Sequence, residues 1–240
     1  MIKKKIQVFF KTYGCQANVA DSQDFARYLA LLWVTECDSE KDADLIIVNT
    51  CAIREKAENK LYAYLGDLIT LRKAKPYVKL GVIGCVASYR KQEIFTRFDH
   101  INFVCGAREN HELFKTYLNH LVAEICDLKK RFELGEFKKM PSRQDRDMKV
   151  FVQSKGVFEK VESKIFEAIE RKDLKRAMIN IMTGCNNYCT YCIVPFTRGR
   201  ERSYPFESIV IRAKGEIEAG AREITLIGQN VNSYKDPVSS

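Results

Sequence analysis

The 240-residue sequence contains no apolar run approaching the roughly 20 residues that a membrane helix requires, which excludes a bilayer-spanning helix. Its basic start, MIKKK, is followed only by IQVFF before Lys11 interrupts, too short for a secretory signal. There is no internal repeat and no low-complexity tract. Histidine is scarce: His100, His111 and His120 fall on or near a polar helix without ligand spacing to any cysteine, and they read as solvated surface residues. These absences leave a cytoplasmic globular protein without membrane contact as the expectation.

Cysteine, by contrast, is abundant, with nine residues, an odd number. In a reducing compartment, clustered cysteines point to metal or redox chemistry rather than disulfides, although any single one is more often a small buried apolar residue. Hydrophobic residues make up 46% of the chain, enough for one large domain or two small ones. The net charge is +9, and residues 128–176 hold fifteen Lys/Arg against nine Asp/Glu. That excess suits a polyanion such as RNA, while a lysine-rich surface is also commonly just solvated.

Short apolar runs alternate with longer amphipathic stretches from Ile6 onward. IQVFFKT, DLIIVNT, KLGVIG and INFVC read as strands, with WVTEC as a further one. Helices are expected over DSQDFARYLALL, capped by Asp21 or Ser22, over REKAENKLYAYLGDLITLRK, over SYRKQEIFTRF, capped by Ser88, and over ENHELFKTYLNHLVAEI. This order predicts an α/β domain with a mostly parallel sheet over residues 1–127. Residues 128–176 read as a basic linker segment with a helical stretch in VFEKVESKIFEAIERKDLKR, where Glu167 and Arg171 stand at i,i+4. A second unit over 177–240 opens with the strand AMINIM, continues through a helix stopped at Gly220, and adds the strand REITLIG.

Three cysteines share one context. IQVFFKTYGC, DLIIVNTC and KLGVIGC each end a hydrophobic strand on a cysteine, namely Cys15, Cys51 and Cys85. The C-terminal ends of parallel strands lie at one edge of a sheet, the edge where ligands sit, so the three thiols should converge. Gly14 and Gly84 permit tight exits just before two of them. Such a set suits an iron-sulphur cluster or a zinc ion. Cys105 also ends a strand and reads either as a fourth ligand or, preferably, as a core residue; Cys37 and Cys126 receive no role.

The second group, Cys185, Cys189 and Cys192, has the spacing C-x3-C-x2-C in a loop with Asn186, Asn187 and Thr190. Structural zinc closes with four protein ligands, and no fourth Cys or His lies nearby. A four-iron cubane held by three thiolates keeps one iron open for a substrate or cofactor.

GCNNYCTYC resembles the signature of radical S-adenosylmethionine enzymes. With its flanks CNNYCTYCIVPFTRGRERS, and with NTCAIREKAENK, KTYGCQAN and IGQNVNSY, the chain resembles the methylthiotransferase family. The run Ile53 to Lys60 favours the tRNA branch that acts on isopentenylated adenosine over the ribosomal-protein branch. The resemblance covers Phe9 to about Asn110 and Met178 to Tyr234, the segment between matching poorly.

The resemblance implies two [4Fe-4S] clusters: an auxiliary one on Cys15, Cys51 and Cys85, and a radical-generating one on Cys185, Cys189 and Cys192. The latter would split S-adenosylmethionine into methionine and a 5′-deoxyadenosyl radical, hydrogen would leave C2 of the adenine, and a methylthio group would join there. Tyr191 would lie near the cofactor's adenine or simply pack, and Gly228 and Gln229 would meet its amino group. Arg198, Arg200 and Arg202 form a basic loop for RNA phosphate or a cofactor carboxylate, or an ordinary surface. The implied partners are the tRNA anticodon loop, an electron-donor protein and a sulphur source. Thr183 and Tyr204 stand where relatives more usually carry an acidic and a basic residue.

The implied second fold is a (β/α)6 partial barrel, of which this sequence would hold only the first units. The chain is therefore expected to be an N-terminal portion that turns over poorly alone. Alternatives are the same chemistry on another modified adenosine or a ribosomal protein, or a non-catalytic iron-sulphur or zinc-binding fragment.

Overall fold

The computed structural model describes residues 5–53, 55–108, 111–136, 150–151 and 175–239, with 111–116 and 150–151 as backbone only. The first unit comprises β1 (Ile6–Tyr13), α1 (Gln16–Leu31), β2 (Val34–Glu36), β3 (Leu45–Thr50), α2 (Glu55–Ala74), β4 (Lys79–Gly84), α3 (Cys85–Tyr89), α4 (Lys91–Arg97), β5 (Phe103–Gly106), α5 (His111–Glu133) and β6 (Val150–Phe151). Its six strands run parallel in the order β2-β1-β3-β4-β5-β6. The order reverses between β1 and β3, which opens a crevice at the carboxyl ends of those two strands.

The central strands are buried on both faces, as continuous apolar runs in parallel sheets should be. In β3, Leu45 and Ile47 pack with Leu29, Leu118, Leu121 and Ile125, toward α1 and α5. Ile46 and Val48 face the opposite layer of α2, α3 and α4, among Leu61, Leu65, Leu68 and Ile94. The three α2 leucines recur at i, i+4 and i+7, and each fully buried leucine contributes about 1.5–3 kcal/mol. Gly81 is dictated by close approach: a Cβ there would stand 1.9 Å from Phe103 Cζ.

The second unit holds β7 (Arg176–Asn180), β8 (Met182–Thr183), α6 (Val194–Thr197), β9 (Arg202–Ser203), α7 (Phe206–Glu218) and β10 (Glu223–Ile227). β7 and β10 pair in parallel across α7, and β8 pairs antiparallel with β9. Gly220 ends the α7 segment at φ +98°, as its position predicts.

Several expectations are corrected. α1 starts at Gln16, with Cys15 as its N-cap, and not at Asp21 or Ser22; those two residues lie inside the helix. Ser88 sits within α3 rather than capping it: its hydroxyl donates to the Thr197 carbonyl at 3.0 Å and accepts from Ala107 N. α5 runs on to Glu133, and β6 joins the first sheet from within residues 128–176. His100 is buried rather than solvated, because its Nε2–H donates to the Leu65 carbonyl at 2.6 Å. His120 is exposed as expected. The helical stretch drawn over VFEKVESKIFEAIERKDLKR lies outside the described residues up to Leu174, and Arg176 already belongs to β7.

Candidate metal centres

Cys15, Cys51 and Cys85 follow β1, β3 and β4, three adjacent strands, so they meet at one sheet edge beside the crevice. The side chains of Cys15 and Cys51 are hydrogen-bonded to each other, and Cys85 acts electrostatically on Cys51. Cys51 donating to Cys15 holds the Cys15 thiol well below its ordinary range, against the burial that would raise it, and holds Cys51 well above its own. One of the two sulphurs is thus poised as a thiolate, the form that binds metal.

A buried amide pair sets this edge. Asn18 Oδ1 accepts from Cys15 N at 3.3 Å and lies 3.2 Å from Cys15 Sγ, while Asn18 Nδ2 donates to Asn49 Oδ1 at 2.8 Å and to the Thr50 carbonyl at 3.3 Å. Asn49 Nδ2 donates to the Asn18 carbonyl at 2.8 Å and to Ser22 Oγ at 3.0 Å. The first turn of α1 is thereby pinned to the end of β3. Gly84, at φ +96°, is required here, since a Cβ would fall 2.3 Å from Asn49 Oδ1. Asn18 and Asn49 carry no motif of their own in the sequence; the one local signal is that Asn18 follows Cys15 by three residues, at the N3 position of the helix which that cysteine caps.

The second group lies in the loop between β8 and α6. Gly184 turns the chain at φ +74°, and a Cβ on it would stand 2.1 Å from the Arg200 carbonyl oxygen. Cys185 N donates to the Gly199 carbonyl at 3.1 Å, Glu201 N to Asn186 Oδ1 at 3.0 Å, and Cys192 N to the Cys189 carbonyl at 2.9 Å. Tyr188 carries a left-handed φ of +44°, uncommon for a bulky side chain, directly before Cys189. Cys185 is buried, Cys192 half-buried and Cys189 exposed.

Tyr191 is 90% exposed, so it does not serve as ordinary core packing. Gly228 and Gln229 leave β10 beside the strand that feeds the cysteine loop, at the same carboxyl edge. Gly228 also has a steric reason, because a Cβ would stand 2.5 Å from Met182 Cγ. Cys105 is buried in the core of the first unit, its thiol pushed up to about 12 by burial.

Of the three arginines expected in one basic loop, Arg198 departs: it is buried, and Nη2 donates to Asp21 Oδ2 at 2.6 Å. Around it the two units join through α1. Met178 N donates to Gln23 Oε1 at 3.2 Å and Asn180 Nδ2 to Asp21 Oδ1 at 3.3 Å, while Arg212 pairs with Asp24 and Arg27 with Glu216. Ala17 and Ala20 of α1 pack with Ile227 and Met178.

The thiols of both sets are soft donors of the kind an iron-sulphur group takes. All six donors are soft thiols, Ile53 N–H is directed at Cys51 Sγ at 3.4 Å, and Thr50 Oγ1 is buried with no hydrogen-bond partner among the described residues. Among the described residues, no three His, Cys, Asp or Glu side chains stand close enough together to hold a metal ion. No helix among them is long and apolar enough to cross a membrane.

Two family models match the chain, one region in each unit. Residues 7–106 match "Uncharacterized protein family UPF0004", and residues 179–239 match the "Radical SAM superfamily". The chain is 39% identical over 223 residues to tRNA-2-methylthio-N(6)-dimethylallyladenosine synthase of Dictyoglomus thermophilum, covering 93% of this chain and 45% of that protein. It is 40% identical over 227 residues to the enzyme of the same name from Carboxydothermus hydrogenoformans, again 93% of this chain and 45% of the relative. With that of Thermodesulfovibrio yellowstonii it shares 36% over 229 residues, 95% and 46% respectively. The chain therefore spans about half the length of these relatives, and the alignments run through residues 128–176 as well as the flanking units.

Proposed function

We infer that this chain, which joins a UPF0004 region to a radical S-adenosylmethionine region, is the cluster-bearing part of a tRNA methylthiotransferase acting on C2 of N6-isopentenyladenosine next to the anticodon. The observation that carries the reading is the pairing of two three-cysteine sets on two joined units: Cys15, Cys51 and Cys85 at one sheet edge, and Cys185, Cys189 and Cys192 in one loop.

The radical superfamily match implies a [4Fe-4S] cluster and S-adenosylmethionine, for which Cys185, Cys189 and Cys192 are the ligands proposed. A second [4Fe-4S] cluster on Cys15, Cys51 and Cys85 is the finer proposal. When bound, the first cluster and its cofactor supply one-electron cleavage to a carbon radical able to take hydrogen from an unactivated C–H bond.

The chain's own residues hold and shield. Gly184 and Tyr188 set the loop so that its thiols come from a tight turn. Gly228 and Gln229, at the same edge, offer backbone groups for the amino end of S-adenosylmethionine, and exposed Tyr191 offers a ring for its adenine. Asn18 and Asn49 keep Cys15 and Cys51 in register. Arg200 and Arg202, outside the buried pair of Arg198, are left for phosphate of the anticodon loop. An electron-donor protein and a sulphur source complete the partners, and a cytoplasmic location follows from a tRNA substrate.

Anaerobic reconstitution with iron and sulphide tests the ligand sets. About eight irons per chain are expected, falling to about four when Cys185, Cys189 and Cys192 are all replaced by alanine and to about four when Cys15, Cys51 and Cys85 are. One zinc per chain, or iron loss unrelated to the set removed, overturns the assignment. For the substrate, nucleoside mass spectrometry of tRNA from a strain lacking the gene should show isopentenyladenosine without its methylthio group. Unchanged tRNA with an unmodified ribosomal protein instead would overturn it.

A further inference from the structure

The tripeptide Thr197–Arg198–Gly199 touches both cysteine sets at once. The Thr197 carbonyl accepts from Ser88 in α3, the helix that begins at Cys85. The Gly199 carbonyl accepts from Cys185 N at 3.1 Å. Between them the Arg198 side chain leaves its own unit, is anchored by Asp21 on the helix capped by Cys15, and lies within electrostatic reach of the Cys85 sulphur. Arg108, which follows β5, clamps the other end of the same segment through the Pro195 carbonyl.

A guanidinium buried to this degree is costly unless its surroundings are anionic. Burial alone would lower its proton affinity, but Asp21 and Cys85 outweigh that and hold it above the ordinary value. Arginine keeps its charge at any working pH, so the cation is permanent. Asp21 also accepts from Asn180 and so is not devoted to the arginine alone. The charge therefore faces the thiol edge of the first unit, although it is supplied by the second.

We propose that Arg198 is a positioning residue for the Cys15, Cys51 and Cys85 site, a buried cation that biases the group bound there toward its reduced, more negative state. The claim rests on the two-cluster reading above but reaches further: the redox poise of one unit is set by a side chain of the other. A buried positive charge beside a cluster stabilises the form carrying the extra electron, and so raises the reduction potential. Its removal should shift the potential downward.

The test uses the 240-residue chain with Cys185, Cys189 and Cys192 replaced by alanine, so that only the first site loads, and compares Arg198, Arg198→Lys, Arg198→Gln and Asp21→Asn by EPR-monitored redox titration and iron analysis. The proposal expects about four irons in the parent. Arg198→Gln should either lower the midpoint potential at unchanged iron or lose iron that Arg198→Lys retains. Arg198→Lys should stay near the parent, and Asp21→Asn, which removes the anion opposing the arginine, should move the potential the other way, upward. An Arg198→Gln protein with the parent's iron, potential and EPR spectrum overturns the proposal. Equal iron loss in Arg198→Lys and Arg198→Gln overturns it too, because shape rather than charge is then what matters. A parent that binds no iron overturns instead the two-cluster reading on which the proposal stands.

Discussion

Asn18 and Asn49 exchange hydrogen bonds inside the protein: Asn18 Nδ2 reaches Asn49 Oδ1 at 2.8 Å, and Asn49 Nδ2 returns to the Asn18 carbonyl at 2.8 Å. Both residues are fully buried, 31 positions apart in sequence, and each lies within three residues of a cysteine of the first set. Asn49→Ala removes a buried hydrogen bond from each of Asn18 Nδ2, the Asn18 carbonyl and Ser22 Oγ. It should cost about 1–3 kcal/mol in urea unfolding. After reconstitution, iron should fall toward the four atoms of the Cys185 loop alone, about half the parent's content. Full iron with unchanged stability would remove the amide pair from the account of the site.

Gly84→Ala and Gly66→Ala should move stability in opposite directions. Gly84 sits at φ +96° with Asn49 Oδ1 and the Thr50 carbonyl in the space a Cβ needs, so its replacement should destabilise by more than about 1 kcal/mol. Gly66 lies within α2 on an exposed position with nothing near a new Cβ, and alanine there should stabilise by about 0.5–1 kcal/mol. Thermal denaturation of the two variants reads both signs in one experiment.

The join between units rests on charge buried on α1. Arg27 pairs with Glu216 and with Asp24, and its pair with Glu216 is nearly inaccessible on both sides. Glu216→Leu alone should cost about 3 kcal/mol by removing the less accessible of the arginine's two carboxylate partners, whereas Arg27→Met with Glu216→Leu should recover most of that loss. A denaturant-based double-mutant cycle measures the coupling; additive losses would show that the pair does not act as a unit.

Alkaline conditions should unfold the protein before they damage it chemically. Burial pushes the Cys105 thiol and the Tyr77 hydroxyl each up to about 12, Tyr77 with further help from Asp44 and Glu133. The Tyr204 hydroxyl is also raised to about 12, by burial and then by Asp24 and Asp21. In the unfolded chain these groups ionise near pH 8.5 and 10. Between those values and about 12 the folded state holds protons that the unfolded state releases. Their contribution is therefore complete below pH about 8.5 and is lost as pH rises toward 12. Urea midpoints at pH 7, 9, 10 and 11 should fall on the alkaline side, with Cys105→Val flattening the earliest part of the decline.

The sheet was legible because its strands are near-continuous apolar runs and because each of three ends on a cysteine. Parallel topology alone then brings Cys15, Cys51 and Cys85 to one edge. The start of α1 was not legible: Asp21 and Ser22 have the chemistry of caps, but their side chains are used by Arg198, Asn180 and Asn49, partners from distant parts of the chain. The same holds for His100, whose polarity suggested the surface while the Leu65 carbonyl gave it a buried partner. Arg198 was grouped with Arg200 and Arg202 because local spacing is all that one loop displays. Its burial depends on Asp21, 177 residues earlier, which no periodicity can register.

That separation also has a bearing on synthesis. At about 5–20 residues per second, α1 leaves the ribosome on the order of ten to thirty seconds before the arginine that will meet Asp21 exists. For that interval the side of the helix carrying Asp21, Gln23, Asp24 and Arg27 has only water to face. Its polar character lets that side of the nascent first unit stay hydrated, and the second unit, on arriving, replaces the hydration with ion pairs around the small apolar contact of Ala17 and Ala20.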